Sequence, residues 1–332
     1  MALCVAILGV GHWHAARYST ALAAAGVVVV AVSDHEPAVA ARRGSELGCR
    51  SYDDHHALLA AEQPDFVVAL PRPCDGAALV HDLLERGLPC LIEKPVVRRA
   101  AELAPLVARM QQQRAFVAVP FIGRLSPIWK VPAEDTADLL HGQLRIINGP
   151  PERYAQAGCG WMLDPAQAGG GALRNLGIHL ADAAIHLAGR LDIIAARIGY
   201  GAYAIDEYAV ALLETANGAQ LQLEAGYTFP LVAAGMSRGG DTCWRIVSRN
   251  AYMIDDEATF TMVQAQHEQR SPSPSSAERY ERYMIETLDR WRRGMLPHAD
   301  LADCYAAAQL IDRIYDQAQS CYNGAASAAP YR

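Results

Sequence analysis

The sequence has no run of lysines and arginines, and its acidic residues outnumber its basic ones. Among 332 residues there are 29 Lys and Arg against 36 Asp and Glu, a formal net charge of -7 at pH 7. Proteins that bind a nucleic-acid backbone neutralise its phosphates with clustered basic side chains. We therefore expect no nucleic-acid partner.

Long apolar runs and a secretory signal are also missing. The first ten residues, MALCVAILGV, start directly as a strand and reach Gly9 too soon for a signal peptide. Other apolar runs are strand-sized or interrupted by charge, which is too short to span a bilayer. These patterns predict a cytoplasmic protein without a membrane partner.

The eight cysteines follow no metal-binding or redox pattern. They are scattered, without Cys-x-x-Cys and without Cys/His pairs at zinc-finger spacing. Such cysteines are typical of buried thiols in a reducing compartment. We expect no metal site.

The chain is long enough for about two domains, and the patterning divides it near Phe121. Before that point, continuous apolar strands such as VVVVAV and FVVAL alternate with amphipathic helices. This alternation predicts a doubly wound parallel sheet, a Rossmann domain over residues 1–121.

Residues 122–332 are expected to form an α+β domain with a large, mostly antiparallel sheet; its C-terminal helices are free to pack back on the first domain. One long helix is predicted from the glycines at 169–171 to about Leu187. The β-rich segments follow it, and Asn217-Gly218 between alternating apolar runs predicts a hairpin.

The stretch ILGVGHWHAARY, residues 7–18, is a candidate dinucleotide-binding loop. Gly9 allows a tight turn off the first strand, and Gly11 lets a pyrophosphate approach the backbone at a helix N-terminus. His14 stands where the fingerprint has its third glycine, which weakens the motif without abolishing it. A plain structural turn is the alternative.

Asp34 ends the second strand, roughly 20 residues after the glycines, where an acid accepts hydrogen bonds from ribose hydroxyls and repels a 2′-phosphate. Its alternative role is to cap the helix that begins near Pro37. Another strand ends in Glu93-Lys94-Pro95, which brings Lys94 to the carboxyl edge of the sheet, where ligands of doubly wound folds bind.

Together these motifs resemble the Gfo/Idh/MocA oxidoreductases over nearly the whole chain. The resemblance rests on GVGHWH, on EKP, on WMLDPAQAGGGALRNLGIHLADAAIHLAG at 161–189 and on the closing GMLPHADLADCYAAAQLIDRIY. It implies that Lys94 and His179 flank the carbinol that gives hydride to nicotinamide.

The resemblance also identifies departures. The family's helix reads Asp-x-Gly-x-His, whereas this chain has Asn175 one helical turn before His179. Asn175 keeps a hydrogen bond that can orient His179 but lacks the charge that stabilises an imidazolium. Asp182 either supplies that charge or is a solvated helix residue. At 71–75 the sequence PRPCD replaces the usual Pro-Asn-x-x-His.

The resemblance implies catalytic and cofactor-binding residues and an oligomer. The catalytic residues would be Lys94, His179 and Asn175. The cofactor-binding residues would be Gly9, Gly11, His12, Trp13, Asp34, Pro71, Glu93, Lys94 and Trp161. Arg124 is at the family's usual arginine, with packing or surface exposure as the alternative. A homodimer or homotetramer is expected.

The sequence therefore predicts an NAD(P)-dependent oxidoreductase, with NAD preferred. Its expected substrate is a secondary alcohol or ketone of a sugar, cyclitol or related polyol derivative. Two alternatives share these residues: a non-catalytic NAD(H)-binding sensor, and redox-neutral NAD-assisted sugar chemistry.

Overall fold

The computed structural model describes residues 3–131, 136, 138–230 and 239–323, and the chain divides into two compact units. The first unit comprises Met1–Phe121, Tyr154–Trp161 and Ala277–Tyr305. The second comprises Ile122–Arg153, Met162–Ser276 and Ala306–Arg332. Phe121, at the end of the predicted Rossmann domain, is one point where the chain passes between units.

A six-stranded parallel sheet forms the centre of the first unit. Its order is β3-β2-β1-β4-β5-β6. The strands are β1 Cys4–Leu8, β2 Val28–Ser33, β3 Arg50–Tyr52, β4 Phe66–Ala69, β5 Cys90–Ile92 and β6 Val117–Ala118. All residues of β4 and β5 are buried, as expected when helices cover both faces of a parallel sheet. The predicted doubly wound sheet is confirmed.

Helices alternate with these strands. They are α1 Ala15–Ala24, α2 Pro37–Leu47, α3 His55–Glu62, α4 Pro73–Glu85 and α5 Ala104–Gln113. Proline at the first helical position begins α2 and α4, where its missing N–H costs nothing. The Asp54 carboxylate caps α3 by accepting the N–H groups of His56 and Ala57.

The second unit contains a nine-stranded sheet of order β14-β13-β12-β11-β7-β10-β9-β8-β15. Its strands are β7 Leu139–Asn148, β8 Leu191–Tyr200, β9 Asp206–Thr215, β10 Gln220–Gly226, β11 Gly240–Ser248, β12 Tyr252–Asp255, β13 Thr259–Gln264, β14 His267–Pro272 and β15 Gln319–Asn323. The pairs β7–β10 and β8–β15 are parallel, and the other pairs are antiparallel. The predicted mostly antiparallel sheet is confirmed, and so is the hairpin, in which Gly218 has φ 83°.

The remaining α-helices differ from the prediction at one point, where two helices stand in place of one. They are α6 Glu152–Gln156, α7 Pro165–Ala168, α8 Ala172–Asn175, α9 Gly177–Ala188, α10 Ser276–Arg292 and α11 Leu301–Gln317. The single helix predicted from the glycines at 169–171 to about Leu187 is wrong, because α8 and α9 are separated at Leu176. There the N–H of His179 bonds the carbonyl of Leu176, three residues back, at 3.2 Å. Gly177, a poor helix former, stands at this junction.

Within the described ranges, every helix is too short or too polar to cross a lipid bilayer. The seven cysteines whose side chains are described form no disulfide with one another.

Candidate active site

The loop after β1 has a conformation and surroundings that only glycine accommodates. Gly9 has φ 76°, and its N–H donates to the Ser33 carbonyl at 2.8 Å. A Cβ on Gly9 would lie 2.3 Å from the Leu70 carbonyl oxygen. The chain therefore turns tightly between the ends of β2 and β4 with no side chain over the turn.

Asp34, at the tip of β2, holds this loop. Its Oδ2 accepts the Gly11 N–H at 2.7 Å, and its Oδ1 accepts the Glu36 N–H at 3.0 Å. His35 Nδ1 lies 3.1 Å from the same Oδ1. The alternative role as cap of α2 is not observed, since the N-cap is Glu36 and no side chain caps that helix.

A cavity of about 660 Å³ lies in the first unit beside the loop, a size suited to a small-molecule cofactor. Six predicted cofactor-binding residues line it: Gly9, Gly11, His12, Asp34, Pro71 and Trp161. Trp13, Glu93 and Lys94 are not among the lining residues. Trp13 instead packs edge-on against Tyr154, with ring centroids 5.4 Å apart.

The cavity is lined by more acids than cations. The acids are Asp34, Glu36, Asp53, Asp54 and Asp75. The arginines are Arg42 and Arg72. Arg72 Nε donates to Asp75 Oδ2 at 2.6 Å, so the PRPCD segment at 71–75 contains an internal ion pair. The charged side chains of the lining therefore carry a net negative formal charge.

Residues Tyr154–Trp161 complete the surroundings of the glycine loop, although the sequence analysis assigned them to the second domain. The Cys159 thiol donates to the Gly11 carbonyl at 3.4 Å. Burial raises the pKa of that thiol to about 11, which keeps the donor hydrogen. The Trp161 ring centroid lies 5.6 Å from that of His12. Sequence identified Trp161 but gave no signal for Cys159.

Lys94 follows β5 and is almost fully buried, with 3% of its surface exposed. Its Nζ lies 4.0 Å from Glu93 Oε1. Burial lowers the pKa of Lys94, and the charge of Glu93 opposes that effect. Burial by itself would raise the pKa of Glu93, but His14, Lys94 and His12 outweigh it and lower that pKa to about 2. Glu93 is therefore a buried carboxylate, and the Tyr18 hydroxyl donates to its Oε2.

His14, at the position of the third glycine, turns toward this carboxylate. Its Nδ1 lies 3.3 Å from Glu93 Oε1 and 3.2 Å from the Tyr280 hydroxyl oxygen. The ring contacts Tyr280 with centroids 4.8 Å apart. The fingerprint loop is kept because α1 begins only at Ala15, so His14 precedes the helix body.

His12 lines the cavity as a neutral donor. Its Nδ1 accepts the His14 N–H at 3.1 Å, which leaves the ring proton on Nε2. Burial lowers the pKa of His12 to about 3, outweighing the opposing effect of Glu93. A neutral donor at this position suits a phosphate oxygen.

In the second unit, His179 lies in α9 with 8% of its surface exposed. Asn175, at the end of α8, donates from Nδ2 to the Tyr227 hydroxyl oxygen at 2.9 Å. The expected one-turn spacing between Asn175 and His179 is interrupted by the break at Leu176. The role of Asn175 in orienting His179 remains a prediction.

Asp182 is neither solvated nor an unopposed charge. Arg124 binds it with two hydrogen bonds, from Nε to Oδ2 at 3.0 Å and from Nη2 to Oδ1 at 2.6 Å. Asp182 is buried, and Arg124 is largely so. The expectation of a solvated helix residue is wrong, because this bidentate contact neutralises the carboxylate within the fold.

Asp206 organises the glycine-rich start of α8, and sequence gave no signal for it. It accepts the N–H groups of Gly171 at 2.6 Å and Leu173 at 2.7 Å, and the Tyr315 hydroxyl at 2.6 Å. A Cβ on Gly171 would lie 1.9 Å from the Asp206 carbonyl oxygen. Burial raises the pKa of Asp206 despite these donors.

Two family models match the chain. One, described as the oxidoreductase family with an NAD-binding Rossmann fold, matches residues 3–121. The other, described as the GFO/IDH/MocA C-terminal domain, matches residues 137–247.

One similar curated protein is D-xylose 1-dehydrogenase (NADP(+)) 2 of Haloferax volcanii. It is 25% identical over 312 residues, 89% of this chain and 93% of that protein. The rhizopine catabolism protein MocA of Rhizobium meliloti is also 25% identical, over 79% of this chain and 83% of its own length.

Solved structures share the fold. Levoglucosan dehydrogenase in complex with NADH and levoglucosan has a TM-score of 0.82 at 17% identity, over 96% of this chain and 97% of that one. An oxidoreductase from Agrobacterium radiobacter, in complex with NAD+, L-tartaric acid and magnesium, has a TM-score of 0.81 at 19% identity, over 96% of each chain.

Proposed function

The chain belongs to the Gfo/Idh/MocA family of NAD(P)-dependent oxidoreductases, and on that premise we propose that its substrate is a secondary alcohol or ketone of a sugar, cyclitol or related polyol derivative. The observation that carries the proposal is the cavity that Gly9, Gly11 and Asp34 line. Support for the substrate class comes from relatives named for xylose and levoglucosan.

The residues of the first unit fit a dinucleotide. Gly9 and Gly11 leave backbone uncovered, His12 offers a neutral N–H donor, and Asp34 offers carboxylate oxygens suited to ribose hydroxyls. Trp161 adds an aromatic wall. We propose that these residues hold the cofactor, which when bound supplies the nicotinamide carbon that takes or gives hydride.

We further propose that NAD(H) binds more tightly than NADP(H). A 2′-phosphate carries additional negative charge, and five acids against two arginines line the cavity. Like charges brought together in a partly enclosed site repel. The xylose dehydrogenase relative is named for NADP, so the preference is a property proposed for this chain's own lining.

Lys94 and His179 are the proposed catalytic groups. The proposed role of His179 in alcohol oxidation is to accept the hydroxyl proton at a ring nitrogen, and that of the Lys94 ammonium is to stabilise negative charge developing on the substrate oxygen. In ketone reduction the proton returns to that oxygen. Asn175 is proposed as a neutral neighbour that leaves His179 unprotonated and able to accept.

The family resemblance also leads us to propose a homodimer or homotetramer. A cytoplasmic location is proposed because scattered thiols without disulfides among the described cysteines suit a reducing compartment.

The test is a screen of the purified protein with NAD and NADP separately against a panel of sugars, cyclitols and polyols. Formation of reduced nicotinamide with at least one panel member is expected. Product analysis by mass spectrometry separates net oxidation from redox-neutral chemistry. Cofactor binding without turnover on any alcohol or ketone would instead support a sensor.

A further inference from the structure

The buried carboxylate of Glu93 is shared between the glycine loop and the proposed catalytic lysine. Tyr18 donates to Oε2, whereas His14 Nδ1 at 3.3 Å and Lys94 Nζ at 4.0 Å both lie near Oε1. Glu93 has 1% of its surface exposed, so water does not screen these contacts. Oε1 accepts no hydrogen bond from the described residues, so its two neighbours, an imidazole and an ammonium, act on it as close polar and ionic contacts.

We propose that Glu93 is a positioning residue that keeps the Lys94 side chain in its charged ammonium form, and that His14 limits this effect by drawing the same carboxylate oxygen toward the start of α1. The inference deepens the proposed function, because it rests on Lys94 acting as a charged hydrogen-bond donor. On this proposal, His14, which replaces the third glycine of the fingerprint, modulates the contact between Glu93 and Lys94.

The electrostatic argument begins with burial. An ammonium removed from water without a counter-charge releases its proton. Glu93 supplies that counter-charge, since its lowered pKa keeps it ionised at neutral pH. Among the described residues, the titratable and charged groups facing Lys94, Glu93 and His14 include His12, Arg17, Tyr18, Tyr280 and Cys304.

The role of His14 follows from its distance to Oε1. Burial lowers the pKa of His14, so the ring is neutral at neutral pH and acts on Oε1 as a polar contact at 3.3 Å rather than as a second cation. We expect an oxygen in contact with the His14 ring to approach Lys94 less closely than one without that contact. A glycine at this position offers no such group, and Glu93 would then serve Lys94 alone.

The composition permits a direct measurement, because Lys94 and Lys130 are the only lysines in the chain. Lysine labelled with ¹³C at Cε gives two resonances, and Lys130→Arg assigns them. An NMR titration of the full-length protein then reads the Lys94 pKa without any substrate. Lys130, an exposed residue of the second unit, is an internal reference.

Glu93→Gln removes the counter-charge, and the Lys94 pKa is expected to fall by about one unit or more. Glu85→Gln, at an exposed acid of α4, is the matched control and should leave it unchanged. An unchanged or raised Lys94 pKa in folded Glu93→Gln would overturn the proposal. If that variant does not fold, Glu93→Asp retracts the charge by one methylene, and an unchanged Lys94 pKa there would overturn it equally.

Two variants test His14. His14→Leu fills the space without a polar group, so the Lys94 pKa should rise, opposite to the effect of Glu93→Gln. His14→Asn places an amide near the former Nδ1 and should restore the wild-type value. Equal values in all three proteins would remove His14 from the proposal.

This readout is independent of the proposed function. A Lys94 pKa that follows Glu93 in a protein without dehydrogenase activity would keep the inference about charge and reject the catalytic role. An active protein whose Lys94 pKa does not change in Glu93→Gln would keep the proposed function and reject the inference about charge.

Discussion

The carboxylate of Asp34 and the backbone N–H of Gly11 are joined by a hydrogen bond of 2.7 Å, across 23 residues of sequence. The same side chain lines the cavity, and a Cβ on Gly11 would lie 2.9 Å from its Oδ2. The shape of the glycine loop and the charge at the tip of β2 therefore depend on one another.

From this relationship we expect NAD(H) to bind at least about tenfold more tightly than NADP(H), a difference of about 1.4 kcal/mol. Asp34→Asn should narrow the difference, because it removes a negative charge that opposes the 2′-phosphate. Calorimetric titration of both cofactors measures this.

The matched control is Asp65→Asn, since Asp65 also accepts a backbone N–H, that of Cys4 at 2.9 Å, but does not line the cavity. It should keep the wild-type preference. Equal or tighter NADP(H) binding by the wild type would contradict the prediction and direct attention to Arg42, an arginine of the cavity lining.

Lys94→Ala should lower turnover by about a hundredfold or more, the range for removing a donor that stabilises charge developing on the reacting oxygen, and leave cofactor affinity within a few fold. Lys130→Ala, at the only other lysine, should retain both. Turnover of Lys94→Ala close to that of wild type would reduce Lys94 to a packing role.

His12 predicts acid-dependent stability. Its pKa is 6.5 in the unfolded chain and about 3 in the fold, so below pH 6.5 the unfolded chain binds a proton that the folded protein does not. Its contribution to stability is present above pH 6.5 and is lost as pH falls toward 3. One such proton adds a slope of about 1.4 kcal/mol per pH unit to the free energy of unfolding.

His12→Gln should remove that slope in urea unfolding measured between about pH 5 and pH 6.5. His267→Gln, at an exposed position of β14, is the control and should keep the wild-type slope. Identical slopes in His12→Gln and wild type would show that His12 is protonated in the fold.

Asp206→Ala should destabilise the protein by about 3 kcal/mol, because it leaves the N–H groups of Gly171 and Leu173 without this buried acceptor. Asp256→Ala removes a carboxylate that also accepts two backbone N–H groups, but at an exposed turn, and should cost less than about 1 kcal/mol. Denaturant unfolding compares them; equal losses would mean that burial does not amplify the role of Asp206.

The elements that sequence predicted correctly are those with local signals. Continuous apolar strands gave the parallel sheet, Asn217-Gly218 gave the hairpin, and glycine spacing gave the loop that lines the cavity with Asp34. Each of these elements is determined by residues close in sequence, through their apolar periodicity or through the backbone freedom of glycine.

The unpredicted features depend on distant partners. Asp206 reaches Gly171 across 35 residues and Arg124 reaches Asp182 across 58, and neither has a local pattern. Residues Tyr154–Trp161 belong to the first unit because of contacts between residues distant in sequence, such as that of Cys159 with Gly11. The sequence has no local pattern that predicts these contacts. The helix break at Leu176 was missed because apolar periodicity continues across it.

The central claim is that the protein oxidises a polyol-like alcohol with the cofactor held beside Gly9, Gly11 and Asp34. The most direct measurement is formation of reduced nicotinamide from NAD over the panel of sugars, cyclitols and polyols, with wild type and Lys94→Ala side by side. The account predicts reduction by wild type on at least one panel member, faster with NAD than with NADP at equal subsaturating concentration, and a loss of about a hundredfold in Lys94→Ala. Tight NAD binding with no reduction by any member of the panel, or equal rates in the two proteins, would contradict it.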